Sequence, residues 1–505
     1  MRNVLEYLEY SANKYPDKIV VEDTKSSCLY RELLQNAKRI GSALSAFESP
    51  GKPIIVFMDK SVEVLTAFMG IVYAGCFYIL ISPEQPVARI RLILEVAQAD
   101  CIITLGDNAN IPGKIEFTGK VLDYNDIVKN EIEEEKLQLI RALSQDIDPL
   151  YCNFTSGSTG VPKGVLVSHR SVIDFMEYFP SIFHITEKDI IGNQAPFDFD
   201  VSVKDIYSTL KVGATMVIIP KRFFSIPMQL LDYICEHKVT TMIWAVSALC
   251  MVTQLKGLTY RVPTDVNKIL FSGETMPIKH LKLWQKYLPD ALYANLYGPT
   301  EITCNCTYYI IDREFGLDEK LPIGKPFPNE KVFLLDENDK EIRDKEVAGE
   351  LCVSGTALAL GYYNNPEQTK KVFIQNPLNP YYMEPIYRTG DLAFYNRDGD
   401  LCFTGRKDFQ IKHMGHRIEL EEIESIINSY PDIQRACCIF DTDKNRITAF
   451  YVGSMEGKQI QKKMQESLPG YMIPTVFYSL LELPITANGK IDRKKLMGVE
   501  ENRNE

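Results

Sequence analysis

The run Phe154-Thr155-Ser156-Gly157-Ser158-Thr159-Gly160-Val161-Pro162-Lys163-Gly164 packs hydroxyl side chains and glycines around one lysine. Such a loop can wrap a polyphosphate, offering N–H and O–H donors while Lys163 supplies positive charge. It directly follows an apolar segment, Leu150 to Phe154, which a flexible Gly/Ser linker would not need. A Walker A loop requires Gly-x-x-x-x-Gly-Lys-Ser/Thr, and Lys163 is followed by Gly164, so a kinase or ATPase P-loop is disfavoured.

Further chemistry-bearing residues follow in order along the chain. They are Ala195-Pro196-Phe197-Asp198-Phe199-Asp200-Val201, Asn295-Leu296-Tyr297-Gly298-Pro299-Thr300-Glu301, Tyr387-Arg388-Thr389-Gly390-Asp391, Gly405-Arg406-Lys407-Asp408-Phe409-Gln410-Ile411-Lys412 and Asn488-Gly489-Lys490-Ile491-Asp492-Arg493. Taken singly, each has a plain structural reading. Asp391 suits a turn, Lys490 a solvated Asn-Gly turn, and Asp200 the N-cap of a helix.

The elements that position these residues are legible as hydrophobic period. Val4 to Ala12 has helical spacing, and Ile19-Val20-Val21 reads as a strand. Ile54 to Phe57, Val62 to Val72, Tyr78 to Ile81, Pro86 to Ala97 and Cys101 to Thr104 alternate strand and helix. That alternation implies a parallel sheet with right-handed crossovers, and it recurs between Asp189 and Phe271. Beyond Glu350 short apolar runs among Gly and Asn turns suggest a small β-rich region. The expected fold is therefore α/β: a large N-terminal domain, 1–407, with parallel α/β sheets and a small β-barrel-like region. Residues 408–505 would form a small mobile α+β domain, since roughly a hundred residues is the length of a separate small domain.

Composition bounds the partners. With 505 residues, one core is too few. A net charge of -11 argues against non-specific nucleic-acid binding, which needs a basic surface, but leaves room for a local phosphate site. The N-terminus has no signal-peptide h-region, and the longest apolar run, Ala67 to Ile81, is interrupted by Gly70 and Gly75 and is too short to span a bilayer. No membrane insertion is expected, and a cytoplasmic location is the default. The 12 cysteines include no C-x-x-C pair, so a metal cluster is improbable and the thiols read as small buried hydrophobes.

The ordered set resembles the adenylate-forming enzymes: acyl-CoA synthetases, luciferases and the adenylation domains of nonribosomal peptide synthetases. The resemblance covers nearly the whole chain. It implies ATP as co-substrate, with Thr155, Ser156, Gly157, Ser158, Thr159, Gly160, Lys163, Gly273, Glu274, Asn295, Tyr297, Gly298, Thr300, Glu301, Asp391 and Arg406 around the nucleotide. Tyr297 would stack on adenine and Asn295 read its amino edge. Glu301 would hold Mg²⁺, Asp391 would accept from the ribose hydroxyls, and Arg406 would lie near ribose and phosphate. The catalytic set implied is Lys490, Thr155 and Glu301, with Lys490 neutralising charge as pyrophosphate leaves. The family also implies two conformations about a hinge at Asp408, after which Lys412 and Gly415 would approach the thiol.

Within the family, an Asp at the position of Asp200 pairs with a substrate α-ammonium group, which points to an amino acid. The implied pocket is Asp200, Val201, Lys204, Trp244, Leu270, Ser272, Leu296, Cys304 and Asn305, closed by Lys490. Length and several segments, among them Asn193-Gln194-Ala195-Pro196-Phe197 and Asp205-Ile206-Tyr207, look most like stand-alone D-alanine–D-alanyl carrier protein ligases. Those ligases usually have a small thiol where Ser272 stands and an apolar residue where Lys204 stands. Lys204 would lie one helical turn beyond Asp200 and either meet an acidic substrate side chain or pair with a nearby acid or face solvent. The chain ends soon after Lys495-Leu496 with no carrier motif, so the expected acceptor is the phosphopantetheine thiol of a separate carrier protein. The alternatives are a D-alanyl ligase proper, an acyl- or aryl-CoA ligase, and a catalytically dead nucleotide-binding scaffold.

Overall fold

Apolar β-branched runs become buried strands throughout the chain. In the computed structural model, which describes residues 1–106, 113, 115–157, 160–442, 444–485 and 491–502, the chain divides into two units. The first comprises Met1–Pro83, Gln98–Asn153 and Val165–Lys407; the second comprises Glu84–Ala97, Phe154–Gly164 and Asp408–Glu505.

The first unit is built on three sheets. One has seven strands, with Pro53–Phe57 between its parallel neighbours Phe77–Leu80 and Cys101–Thr104. Ile54, Ile55, Val56 and Phe57 are fully buried. This is the continuous apolar pattern of a strand covered on both faces, each such side chain contributing about 1.5–3 kcal/mol. A nine-stranded sheet carries Ile190–Asn193, Thr215–Ile218, Thr241–Ala245, Lys268–Ser272 and Leu292–Tyr297 as its parallel centre. The crossovers between these strands include helices Val201–Val212, Pro227–Glu236, Val246–Gln254 and Ile278–Tyr287. The β-rich region is an antiparallel six-stranded sheet, in which Pro385–Tyr395 pairs with Gly349–Gly355 and Leu401–Arg406. The fold is the α/β arrangement expected from the alternation.

The second unit has its own core. Helix Leu420–Asn428 turns Ile423 and Ile427 inward at helical spacing onto strands Ile433–Asp441 and Arg446–Gly453. Hairpin Gln410–His413/His416–Glu419 leads into that helix. Helix Val87–Ala97 and the segment Phe154–Gly164 belong to the same unit.

All 12 cysteines are free thiols. No helix among the described residues is long and apolar enough to cross a membrane.

Candidate active site

In the nine-stranded sheet the parallel strands run in register, Ala245 opposite Ser272 and Ser272 opposite Leu296, so their carboxyl ends open along one edge. Open α/β sheets bind ligands outside the carboxyl ends of their strands. The segments that leave these ends carry Asp200, Gly273, Glu274 and Gly298 to Glu301.

Three expected nucleotide residues come together in the first unit. The Tyr297 hydroxyl donates to the Asp391 carboxylate, and the Arg406 guanidinium pairs with the same carboxylate. Asp391 and Arg406 are cross-strand partners, so the backbone fixes their meeting. Burial, then the Asp391 charge, pushes the Tyr297 phenol well above its ordinary range and keeps it a proton donor. Asn295, two positions before Tyr297 on the same strand, is buried and its amide donates to the Pro322 carbonyl at 2.8 Å. Glu301 has no exposed surface and accepts from the Tyr362 hydroxyl at 2.7 Å.

Part of the expected substrate pocket also assembles. Asp200 stands at the N-cap of helix Val201–Val212, but its side chain does not cap the helix. Its carbonyl accepts from the Cys304 thiol at 2.7 Å. Lys204, wholly buried, donates to Ser272 Oγ at 3.2 Å and to Asn305 Oδ1 at 2.7 Å. The solvent-facing reading of Lys204 is thereby excluded. Leu270, Leu296 and Cys304 lie in one apolar cluster with Val203 and Ile206. Trp244 donates its indole N–H to the Gly192 carbonyl at 2.7 Å and packs edge-on against Phe224. Val201 is half-buried.

Sequence reasoning missed Lys60. Its ammonium donates to Asn193 Oδ1 at 2.9 Å and to the carbonyls of Gln194 and Ala195, each at 3.2 Å. Asn193 in turn donates to Asp205 at 2.6 Å. The network holds the turn from which the chain proceeds to Asp200. Burial lowers Lys60 to about 8 against the pull of Asp205 and Asp198, and burial raises Asp205 to about 7. No local signal marks Lys60, since its partners lie more than a hundred positions away.

In the second unit, the hydroxyl and glycine loop meets carboxylates. Ser156 Oγ donates to the Arg417 carbonyl at 2.7 Å and accepts from the Glu419 amide at 3.2 Å. Lys163 pairs with Glu419 at 3.4 Å, and the Gly157 amide donates to Glu422 at 3.3 Å. Glu422 also holds Arg89 at 2.9 Å, both nearly inaccessible. Thr155 is half-buried, its Oγ1 3.5 Å from the Lys163 carbonyl. Of these donors, the Gly157 amide and the Lys163 ammonium meet carboxylates, while Thr155 and Ser156 give to backbone carbonyls. Met414 and Gly415, both at positive φ, close a two-residue hairpin between His413 and His416, a geometry of the type I′ kind that Gly favours. Lys412 sits on its first strand. Ser158, Thr159 and Lys490 lie outside the described residues.

The residues present would suit magnesium only with help from the substrate, Glu301 being the carboxylate that would hold it. Glu301 is one carboxylate, and among the described residues no group of three His, Cys, Asp or Glu could hold a metal. The remaining oxygens would come from substrate phosphates.

The AMP-binding enzyme family model matches residues 8–363, and the AMP-binding enzyme C-terminal domain model matches residues 422–490. Zwittermicin A synthase ZmaJ of Bacillus cereus is 32% identical over 98% of this chain and 94% of its own length. A mycosubtilin synthase polypeptide of Bacillus subtilis is 33% identical over 99% of this chain, which spans only 19% of that protein. Tyrocidine synthase 1 of Brevibacillus parabrevis is 30% identical over 98% of the chain and 45% of its own length. Among solved structures, the Vibrio cholerae adenylation domain AlmE in complex with glycyl-adenosine-5'-phosphate superposes with a TM-score of 0.84 at 21% identity, covering 98% of each chain. Holo-PA1221, a protein containing adenylation and PCP domains, gives 0.83 at 24% identity over 98% of this chain and 84% of its own. At these identities the structural likeness concerns the fold.

Proposed function

The chain belongs to the AMP-binding enzyme family, and from that premise we propose that it activates an amino acid as its aminoacyl-adenylate and passes it to a carrier-bound thiol. Carboxylate and ATP would give aminoacyl-AMP and pyrophosphate. The thiol of a phosphopantetheinylated carrier protein, separate from this chain, would then displace AMP.

The observation that carries the amino-acid reading is Asp200, placed at a helix N-cap where its side chain does not cap the helix. A carboxylate there suits a cationic ligand group, and a site built around such a pair rejects ligands lacking the cation. The AlmE complex with a glycyl adenylate supports the same substrate class.

Each remaining residue has a role its chemistry allows. Tyr297 offers a ring face to adenine, Asn295 reads its edge, and Asp391 accepts from the ribose hydroxyls while Arg406 offsets its charge. Gly273, Glu274, Gly298 and Thr300 line the nucleotide, and Ser156 to Gly160 with Lys163 receive its phosphates. Thr155 and Glu301 orient the phosphates, with Mg²⁺ on Glu301 supplying charge neutralisation when bound. Val201, Trp244, Leu270, Leu296 and Cys304 shape the substrate pocket. Lys490 neutralises the carboxylate and α-phosphate. Asp408 serves as hinge, and Lys412 and Gly415 approach the thiol.

The test is ATP–pyrophosphate exchange with amino acids against fatty and aryl acids. Stimulation by an amino acid is expected. Stimulation by fatty or aryl acids alone would make the chain an acyl- or aryl-CoA ligase instead.

A further inference from the structure

Lys60 starts at the carboxyl end of one sheet and reaches the carboxyl end of another. It lies between strand Pro53–Phe57 of the seven-stranded sheet and helix Val62–Tyr73. Its ammonium ends on Asn193, the last residue of strand Ile190–Asn193 in the nine-stranded sheet, and on the residues that follow. An ammonium group has three donors and no acceptor. Here the acceptors are Asn193 Oδ1 at 2.9 Å and the Gln194 and Ala195 carbonyls at 3.2 Å each, all in one short turn.

That match explains why a lysine stands there. The Asn193 carbonyl accepts from the Ile219 amide at 3.1 Å, but the Gln194 and Ala195 carbonyls lie past the end of the strand. Carbonyls that leave a strand need donors from elsewhere, and Lys60 supplies them. The turn is held at two further points. Gln194 Oε1 accepts from the Ala245 amide at 3.2 Å, and the Phe197 ring meets Phe68, on the helix that follows Lys60. The base from which Lys60 reaches is fixed as well, since the Val62 amide donates to Asp23 Oδ2 at 3.3 Å.

From Ala195 a short hydrogen-bonded turn leads to Asp200. The Phe199 amide donates to the Pro196 carbonyl at 3.2 Å, and Ser202 Oγ donates to the Phe199 carbonyl at 2.6 Å. The Val203 amide donates to the Asp200 carbonyl at 3.0 Å. A shift at the anchored end of such a turn is carried to its far end. We propose that Lys60 is a positioning residue for substrate selection: by fixing this turn it aims Asp200 at the substrate α-ammonium group, an inference that rests on reading the site as amino-acid-activating. Lys60 acts through the turn and not by contact with substrate. Binding groups must be held within about 0.5 Å of their productive position, and a displacement of about 1 Å caused from a distance can cost about a hundredfold. Tyr297 and Asp391 stand on strands Leu292–Tyr297 and Pro385–Tyr395, which Lys60 does not touch, so the nucleotide's residues keep their places.

The experiment is ATP–pyrophosphate exchange by the wild-type chain and Lys60→Met. The substrates are the common amino acids in both configurations, each against its own deaminated acid, such as alanine against propionate. Wild type is expected to favour an amino acid over its deaminated acid. Lys60→Met should lower that preference, the ratio of the two kcat/KM values, by about tenfold or more through a raised KM for the amino acid, with the KM for ATP changed by less than about threefold. A residue that served the fold alone would lower stability in urea and the active fraction while leaving the preference and the amino-acid KM unchanged, and that result would overturn the inference. Should Lys60→Met not fold, Lys60→Arg is read in the same way. A planar guanidinium cannot aim its donors at this turn as a rotating ammonium does, and the preference should fall about threefold. An unchanged preference in the folded variant overturns the inference alone. If wild type favours no amino acid over its deaminated acid, the amino-acid reading itself fails and this inference with it.

Discussion

Glu422 accepts the Gly157 amide at 3.3 Å with one carboxylate oxygen and holds Arg89 at 2.9 Å with the other. A backbone N–H in a glycine and hydroxyl loop therefore already faces an anion. Burial pushes the Glu422 carboxyl up, while Arg89 and the Gly157 amide pull it back. Removing one partner of such a buried pair strands the other, which costs about 3–5 kcal/mol. Glu422→Ala should accordingly lower the stability of the second unit by about 3 kcal/mol in urea unfolding. A loss below about 1 kcal/mol would show that the pair is not the anchor described.

Gly157 has no room for a side chain. A Cβ built there would collide with the Val161 carbonyl oxygen, a backbone atom that cannot swing aside, so the loop must move. Gly157→Ala should raise the KM for ATP at least tenfold, on the order of 1.4 kcal/mol, with little change in the KM for the amino acid. An unchanged KM for ATP would remove this loop from the nucleotide site.

Asp391 joins Tyr297 and Arg406 on a single carboxylate. Asp391→Asn keeps the shape and removes the charge. Hydrogen bonds to charged groups contribute about 1.5–3 kcal/mol, so AMP affinity measured by calorimetry should fall roughly tenfold to a hundredfold. An affinity within twofold of wild type would contradict the assignment of Asp391 to the ribose.

The parallel sheets were legible because strands covered on both faces must be apolar throughout, as at Ile54 to Phe57 and Cys101 to Thr104. The site was legible where a motif is local: Tyr297 and Asp391 belong to short ordered segments. What joins them was not, because strand pairing between Asp391 and Arg406 is a property of register. Apolar period identified helix Val87–Ala97 but carries no information on its unit, which the buried Arg89–Glu422 pair makes plain. Lys60 looked like any surface lysine. Only the folded chain brings it to Asn193 and the carbonyls of Gln194 and Ala195.

Asp205 supplies a pH dependence. Its folded carboxyl titrates at about 7, above the 3.8 of an ordinary aspartate, and one oxygen has no hydrogen-bond partner. Between those values the folded state holds a proton that the unfolded state has released, so this group's contribution to stability is full below about pH 4 and is lost as pH rises through 7. Asp205→Asn should flatten the stability profile across that window in urea unfolding at stepped pH. An unchanged slope would mean that Asp205 is ionised in the fold.

The central claim is that an amino-acid carboxylate is adenylated, and ATP–pyrophosphate exchange across D- and L-amino acids, fatty acids and aryl acids tests it most directly. The account predicts exchange driven by an amino acid and reduced at least a hundredfold in Asp200→Ala. Exchange driven only by acids lacking an amino group, and untouched by that substitution, would contradict it.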